Sequence, residues 1–476
     1  MKMKKWISLL LSMILLLGLC ACGESATADT TPAEVTSLQV GFAREIVMPQ
    51  SGTPVLDGTA AGRIMATYSD QPSVTCVAVR GSNGETVLLY SMDKLTSDVT
   101  WTAPMRTAIS KAVGMAEDHI MLAATHTHSA PLLSGWDGAE QYKTQFQDAL
   151  IKVGQDSLTD LTGAEMHIGS VETENLVFVR QYKLMDGTVT SSGVAAGDPT
   201  IVGHAAESDR ELQVVRFTRE EGKKDVILMS FNAHPTWNGG VTDTNMSADY
   251  PAPTREYIES QGDYLVAFFL GDAGNQAPNT KYMPEIATAA RDYREHGRRL
   301  GQYVLDLIPQ LEKAEGAAVK LSGQQYSAKS NKSRLDMLPQ AQEVVALYKT
   351  EGRDAANALA DKYGLYQHFE ASAIIKRTES PDTNEVWMNV MSIGDQLSFA
   401  FAPYEMFSEN GSHIRADTPY DMTFLVTCCN GREGYIPSSA AFAYGCYESY
   451  TTQFEAGSGE IISDEFIAML AELKNG

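Results

Sequence analysis

The chain has 476 residues, 43% of them hydrophobic and 20% charged, with a formal net charge of −23 at pH 7. That length and apolar share suit one large or two to three ordinary globular domains with a sizeable core. The acidic balance excludes a nucleic-acid grip and an electrostatic hold on anionic lipid.

The first residues read as an address. Lys2, Lys4 and Lys5 precede an apolar run from Trp6 to Leu19 that is too short to span a bilayer. The run closes on Leu19-Cys20-Ala21-Cys22-Gly23, which resembles a bacterial lipoprotein signal ending at residue 21, with the lipid going onto Cys22. The expectation is an exported protein anchored to the cell-envelope membrane through that lipid; an ordinary secretory signal cut near the same place is the alternative. Loss of the three leader lysines would take the net charge from −23 to −26. Residues 22–36 are small, polar and Pro-containing, and read as a flexible tether. The remaining cysteines, Cys76, Cys428, Cys429 and Cys446, show no C-x-x-C zinc spacing. A bridge to Cys446 and buried thiols are both open.

From Leu38 the chain is strand-rich with interleaved helices. Ser73 to Val79 and Thr86 to Ser91 are apolar, β-branched runs joined around Asn83-Gly84, a hairpin signal. Thr102 to Met115 is an amphipathic helix candidate feeding the apolar strand Ile120 to Ala124. That strand runs into Thr125-His126-Thr127-His128-Ser129, and side chains two apart on extended backbone point the same way. Two imidazoles delivered together suit a metal ligand plus a partner or acid–base group; on spacing alone a solvated loop pair fits equally. Four more buried strands end in loops carrying polar residues. Asp225 to Phe231 runs into Asn232-Ala233-His234-Pro235, and Tyr264 to Leu270 into Gly271 to Thr280. Leu397 to Ala402 runs into Pro403-Tyr404-Glu405, and Thr423 to Thr427 into Cys428 to Ser438. Helices are expected over Ala287 to Glu315, Pro339 to Tyr363 and Asp464 to Asn475. The fold class is α/β (mixed α+β): a large β-sheet core flanked by helices, with the site at strand-end loops. One domain over residues 37–476 suits site residues scattered along the whole chain.

Five blocks in order, from Val40 to about Glu460, resemble the neutral (non-lysosomal) ceramidases and their bacterial relatives: VGFAREIVMP, ATHTHSAP, FNAHPTW with SADYPAP, PYEMF, and GYIPSSAAFAYGCYE. Glu45 stands where the family usually has Asp. The resemblance implies a zinc ion (Zn2+) held by His126, His234, Glu405 and Tyr435, an open set that leaves room for water. It implies His128 as general base and then acid, Tyr447 as donor to the oxyanion, and Arg180, in ENLVFVRQY, at the substrate's polar head. The implied activity is hydrolysis of an N-acyl amide, on a small-molecule or lipid substrate and with no nucleic-acid partner. An esterase with the same centre, or a binding lipoprotein that lost activity, stays open. His119, His167, His204, His296, His368 and His413 lack comparable context and read as structural. Two departures stand out: Ala277 occupies the family's serine position in Gly274-Asn275-Gln276-Ala277-Pro278-Asn279, which excludes covalent serine catalysis there. The chain also ends too soon after Tyr435 for the family's immunoglobulin-like module.

Overall fold

Along Ser73–Arg80 and Thr86–Met92, alternate residues enter two different cores. Val77, Val79, Val87 and Leu89 face one cluster, while Cys76, Ala78, Leu88 and Tyr90 face another. A sheet apolar on both faces must be covered on both, and that requirement sets the layering. The computed structural model describes residues 37–476 except 59–61, 97–98, 192–194, 221, 241, 281–282 and 284–289. The expected signal peptide, Cys22 and the tether therefore lie outside the described residues.

The larger sheet is mixed and runs in the order Tyr264–Leu270, Asp225–Phe231, Glu211–Arg219, Thr162–Glu172, Gln39–Ile46, Ser73–Arg80, Thr86–Met92, Ile120–Ala124. Its two ends are parallel pairs, and every pairing between them is antiparallel. A second sheet runs Val319–Lys329, Thr383–Ile393, Leu397–Phe401, Met422–Val426, with its last pair parallel. The sheets pack face to face over one core: Met121, Val215, Leu228 and Phe269 from the first meet Phe399, Phe401, Phe424 and Val426 from the second. Helices cover the outer faces. Val99–Val113 and Ala139–Thr159 cover one end of the larger sheet, with Tyr142, Phe146, Leu150 and Val153 recurring at helical spacing on the buried stripe. Pro251–Ser260 and Tyr293–Leu307 cover the other end, and Ser408–Asp417 and Ser458–Asn475 cover the smaller sheet. Among the described residues no helix is long and apolar enough to cross a membrane.

The larger sheet curls until its ends approach each other. Ser91 Oγ donates to Phe268 O at 2.5 Å, and Thr427 N donates to Leu270 O at 2.8 Å. The carboxyl ends of Ile120–Ala124, Asp225–Phe231, Tyr264–Leu270, Leu397–Phe401 and Met422–Val426 are thereby gathered in one place. The Asn83-Gly84 hairpin forms as expected, with Gly84 at φ +83°.

Three helical expectations need correction. Pro339 to Tyr363 is two helices, Leu338–Glu351 and Arg353–Lys362, broken at Gly352, whose φ of +87° is left-handed. Of the expected helix Ala287 to Glu315, residues 287–289 lie outside the described residues, and the described part forms the helix Tyr293–Leu307, capped by the Asp292 side chain on Glu295 N. The closing helix starts at Ser458 rather than Asp464. Cys76, Cys428, Cys429 and Cys446 are buried free thiols, so the possible bridge to Cys446 does not form.

Candidate metal centre

Five strand-end loops converge on His126 and His234. Backbone carbonyls hold both rings: His126 Nδ1 donates to Leu95 O at 2.7 Å and His234 Nδ1 to Ala273 O at 2.5 Å. A carbonyl can only accept, so each Nδ1 carries its hydrogen and each Nε2 presents a lone pair inward. The two Nε2 atoms lie 3.1 Å apart, and Glu405 Oε2 lies 3.3 Å from that of His126 and 3.2 Å from that of His234. Three acceptors thus face one point in a dry interior, with the residues 2%, 1% and 6% exposed. Such a constellation is stable only around a cation, a proton or a metal ion. The second donor of each imidazole on a carbonyl is the arrangement that metal-ligating histidines use, so the residues present fit a metal.

The electrostatics agree. Burial opposes charge on His126, but Cys428 and the Glu405 carboxylate outweigh it and raise its pKa to about 10. His234 is lowered to about 4 by burial and then by the Arg180 charge. Burial would raise Glu405, yet His126 and His234 hold it well below the usual carboxylate range. One positive charge is shared by three groups.

His128 is delivered beside this point. Its ring lies 5.1 Å from that of His126 and 5.8 Å from that of His234, centroid to centroid. Ligating atoms of His126, His128 and His234 fall within 4.8 Å of one another, so His128 is close enough to join a ligand set as well as to act beside one. Burial, then the His126 and His234 charges, push it well below its ordinary pKa and keep it neutral. Two glycines permit the crowding. A Cβ on Gly239 would stand 2.6 Å from His128 Cβ, and one on Gly58 would stand 2.4 Å from His128 O. The Arg63 guanidinium donates to His128 O at 2.5 Å and to Asp243 O at 3.0 Å, pinning the loop.

Glu405 and Tyr435 face each other across a two-residue parallel bridge, Glu405 opposite Tyr435 and Met406 opposite Ile436. Burial, then the Glu405 charge, keep the Tyr435 phenol protonated, its pKa well above 10. Its ring lies 5.8 Å from that of Tyr447, which in turn lies 5.2 Å from Phe369 on the helix Gln367–Glu379. Arg180 sits 5.6 Å from the Tyr435 ring, but its donors are largely engaged. Nε reaches Glu448 Oε1 at 2.7 Å, and Nη2 reaches the same oxygen at 2.6 Å and Gly274 O at 2.9 Å. Its first role in the fold is to tie the Gly271–Thr280 loop to Glu448 beside Tyr447. Ala277 pairs with Phe178 in a two-residue antiparallel bridge on that loop. Gly274 is required there, because a Cβ would meet the carbonyl oxygens of Glu405 and Met406 at 2.6 Å.

Several contributors have roles at the site that the chain alone did not assign. Buried Asp93 accepts both Arg255 Nη1 and Nη2 at 3.0 and 2.6 Å, Ser73 N at 2.9 Å and Thr125 Oγ1 at 3.3 Å. It thereby fixes the turn whose Leu95 carbonyl orients His126. Cys428 Sγ lies 3.6 Å from His126 Nδ1. The SADYPAP block supplies no inward nitrogen. It buttresses the histidine loop, with Thr127 Oγ1 donating to Ser247 O at 2.7 Å and Asp70 accepting Ser247 Oγ at 2.5 Å. His126, Asp249, Cys428 and Asn430 all have φ between 51° and 70°, a costly conformation outside glycine that concentrates at functional sites. None of the six other histidines joins the cluster. His296 is fully buried against Tyr250 and Trp237, and His119 and His413 sit beside surface carboxylates.

No family model and no curated protein matches the chain. Solved structures do. A neutral ceramidase from Pseudomonas aeruginosa aligns at 15% identity over 92% of this chain and 75% of its own, with a TM-score of 0.68. A ceramidase complexed with C2 aligns at 16% identity over 92% and 76%, with a TM-score of 0.69. The chain has the fold of the neutral ceramidases.

Proposed function

We propose that the chain is a metal-dependent hydrolase of N-acyl amides, with zinc held by His126, His234, Glu405 and Tyr435. The observation that carries the reading is the triangle of inward acceptors: two Nε2 lone pairs and one carboxylate oxygen within 3.1–3.3 Å. Its setting on a ceramidase fold supports the reaction class. Zinc in such a set supplies an acidified water and a Lewis acid for a carbonyl oxygen.

The chain's own residues do the rest. His128, neutral at pH 7, accepts a proton as the water oxygen bonds to the acyl carbon, then delivers it to the amide nitrogen as the C–N bond breaks. The products are a carboxylic acid and an amine. Burial, then the Glu405 and Glu448 charges, hold the Tyr447 phenol above its ordinary pKa. It stays a donor for the acyl oxygen as charge develops there. Arg180, anchored on Glu448, keeps Tyr435 and the Gly274 loop in register. The sequence signal further supports export, with the chain held to the envelope membrane by lipid on Cys22, and residues 37–476 as its catalytic domain.

The test is metal content of the purified protein together with turnover of short N-acyl amides. About one equivalent of zinc and chelator-sensitive release of amine is the expected result. Less than about a tenth of an equivalent, with none regained on reconstitution, would overturn the metal assignment.

A further inference from the structure

Beside the histidine loop lies a cavity of about 430 Å³ whose walls do not match the rest of this acidic chain. Its apolar side is Trp101 and Met105 from the helix Val99–Val113, with Leu132 and Leu133. Among the described residues its charged side is Lys94, Lys143 and Arg432 against one carboxylate, Asp57. Lys94 is engaged, donating to Thr96 O at 2.5 Å and lying 4.5 Å from the Trp101 ring centroid. The side chains of Lys143 and Arg432 make no hydrogen bond or ion pair among the described residues. On a chain that carries 60 carboxylates against 37 cations, half-buried Lys143 and exposed Arg432, with no ion-pair partner among the described residues, stand beside an apolar floor where they are free to take an anion.

The position of the cavity says which molecule. Both loops that carry reacting groups also form its rim: Pro131 is three residues after His128, and Arg432 three residues before Tyr435. Three residues of extended chain span at most about 10 Å, the length of a short acyl chain. A molecule of that length gripped by Arg432 and Lys143 is long enough to extend its other end toward the metal centre. Arginine recognises a carboxylate through a planar pair of donors, and a half-enclosed apolar wall strengthens that pairing over its value in water.

We propose that this cavity holds an anionic end of the substrate, so that the chain acts on N-acyl amides bearing a free carboxylate and an apolar or aromatic body rather than on neutral lipid amides. The inference rests on the hydrolase reading for the word substrate, but the cavity can be tested without turnover. Calorimetry on metal-free protein compares octanoate with octanamide, for the natural chain and for Arg432→Glu and Lys143→Glu. The expected result is at least tenfold tighter binding of octanoate, a preference abolished in Arg432→Glu while the melting temperature stays within a few degrees. Kinetics add a second readout: the ratio of kcat/KM for a carboxylate-bearing N-acyl amide to that for its neutral methyl ester falls at least tenfold in Arg432→Glu. Equal binding of octanoate and octanamide, or a preference that survives both charge reversals, overturns the proposal. Carboxylate preference without hydrolysis of any amide would sink the hydrolase reading and leave the cavity as a carboxylate site. Hydrolysis that ignores the carboxylate would do the reverse.

Discussion

In the metal-free protein Cys428 and Glu405 favour a proton on His126 where the metal would sit, and Glu405→Gln removes one of the two. With His126 Nε2 3.3 Å from the Glu405 oxygen, a unit charge pair at an effective dielectric constant of about 20 is worth about 5 kcal/mol. The net rise from 6.5 to about 10 in the pKa of His126, to which Cys428 contributes before Glu405 and which burial opposes, corresponds to about 5 kcal/mol at 1.36 kcal/mol per pH unit. The folded metal-free protein holds this proton where the unfolded chain releases it. Its contribution to stability is therefore complete below pH 6.5 and is lost as pH rises toward 10. Metal must expel the same proton. Apparent zinc affinity should strengthen about tenfold per pH unit, so about 100-fold between pH 7 and 9, with about one proton released at pH 7.5. In Glu405→Gln the carboxamide has no charge to hold the proton and only Cys428 remains, so release at pH 7.5 falls below that of the natural protein while zinc binds more weakly. Chelator competition across that pH range gives the affinity, and calorimetry in buffers of different ionisation enthalpy counts the protons. Zinc affinity in the natural protein that is flat from pH 7 to 9, or proton release unchanged in Glu405→Gln, refutes the shared-charge picture.

Three further outcomes are expected. Asp93→Asn strands the buried Arg255 guanidinium and should cost about 3–5 kcal/mol of stability by urea unfolding. Because it loosens the Leu95 turn, it should also weaken metal binding by about 10–100-fold; unchanged stability would mean that Arg255 finds another partner. His126→Ala should lose metal and activity together, whereas His128→Ala should keep metal and lose turnover by about 10²–10⁴-fold. Equal metal loss in both variants would make His128 a ligand. Burial lowers His296 to about 3, so the unfolded chain takes up a proton below pH 6.5 that the folded chain refuses. Stability should fall by about 2 kcal/mol from pH 6.5 to 5 through this residue, and His296→Phe should remove that part of the slope; urea midpoints at the two pH values decide it.

The strands that matter most for the site were written plainly in the chain. Ile120–Ala124 and Tyr264–Leu270 are unbroken apolar runs and Asp225–Phe231 nearly so, because both faces of a covered sheet must be apolar, and a polar loop residue marks each end. The same pattern with a loop histidine picked out His126, His128 and His234. Strands such as Val319–Lys329, largely exposed and polar, carry no such run and were not singled out. Gly352 was legible as a residue but not as a break, since helical composition continues on both sides of it.

Composition and periodicity thus determined an α/β chain, the main strands and the histidine loops, because burial acts on each segment locally. Periodicity could not decide how far the sheet curls, and only that curl brings residue 126 within 3.1–3.3 Å of residues 234 and 405. Nor could it show that Leu95 and Ala273 lend their carbonyls to orient the two rings, since every residue has a carbonyl and only the fold selects which one faces a histidine. The surroundings of Arg180 lie beyond the same boundary. Its charge is visible in the chain, but its engagement by Glu448, 268 residues away, belongs to tertiary structure alone, because a long-range partner leaves no local pattern to read.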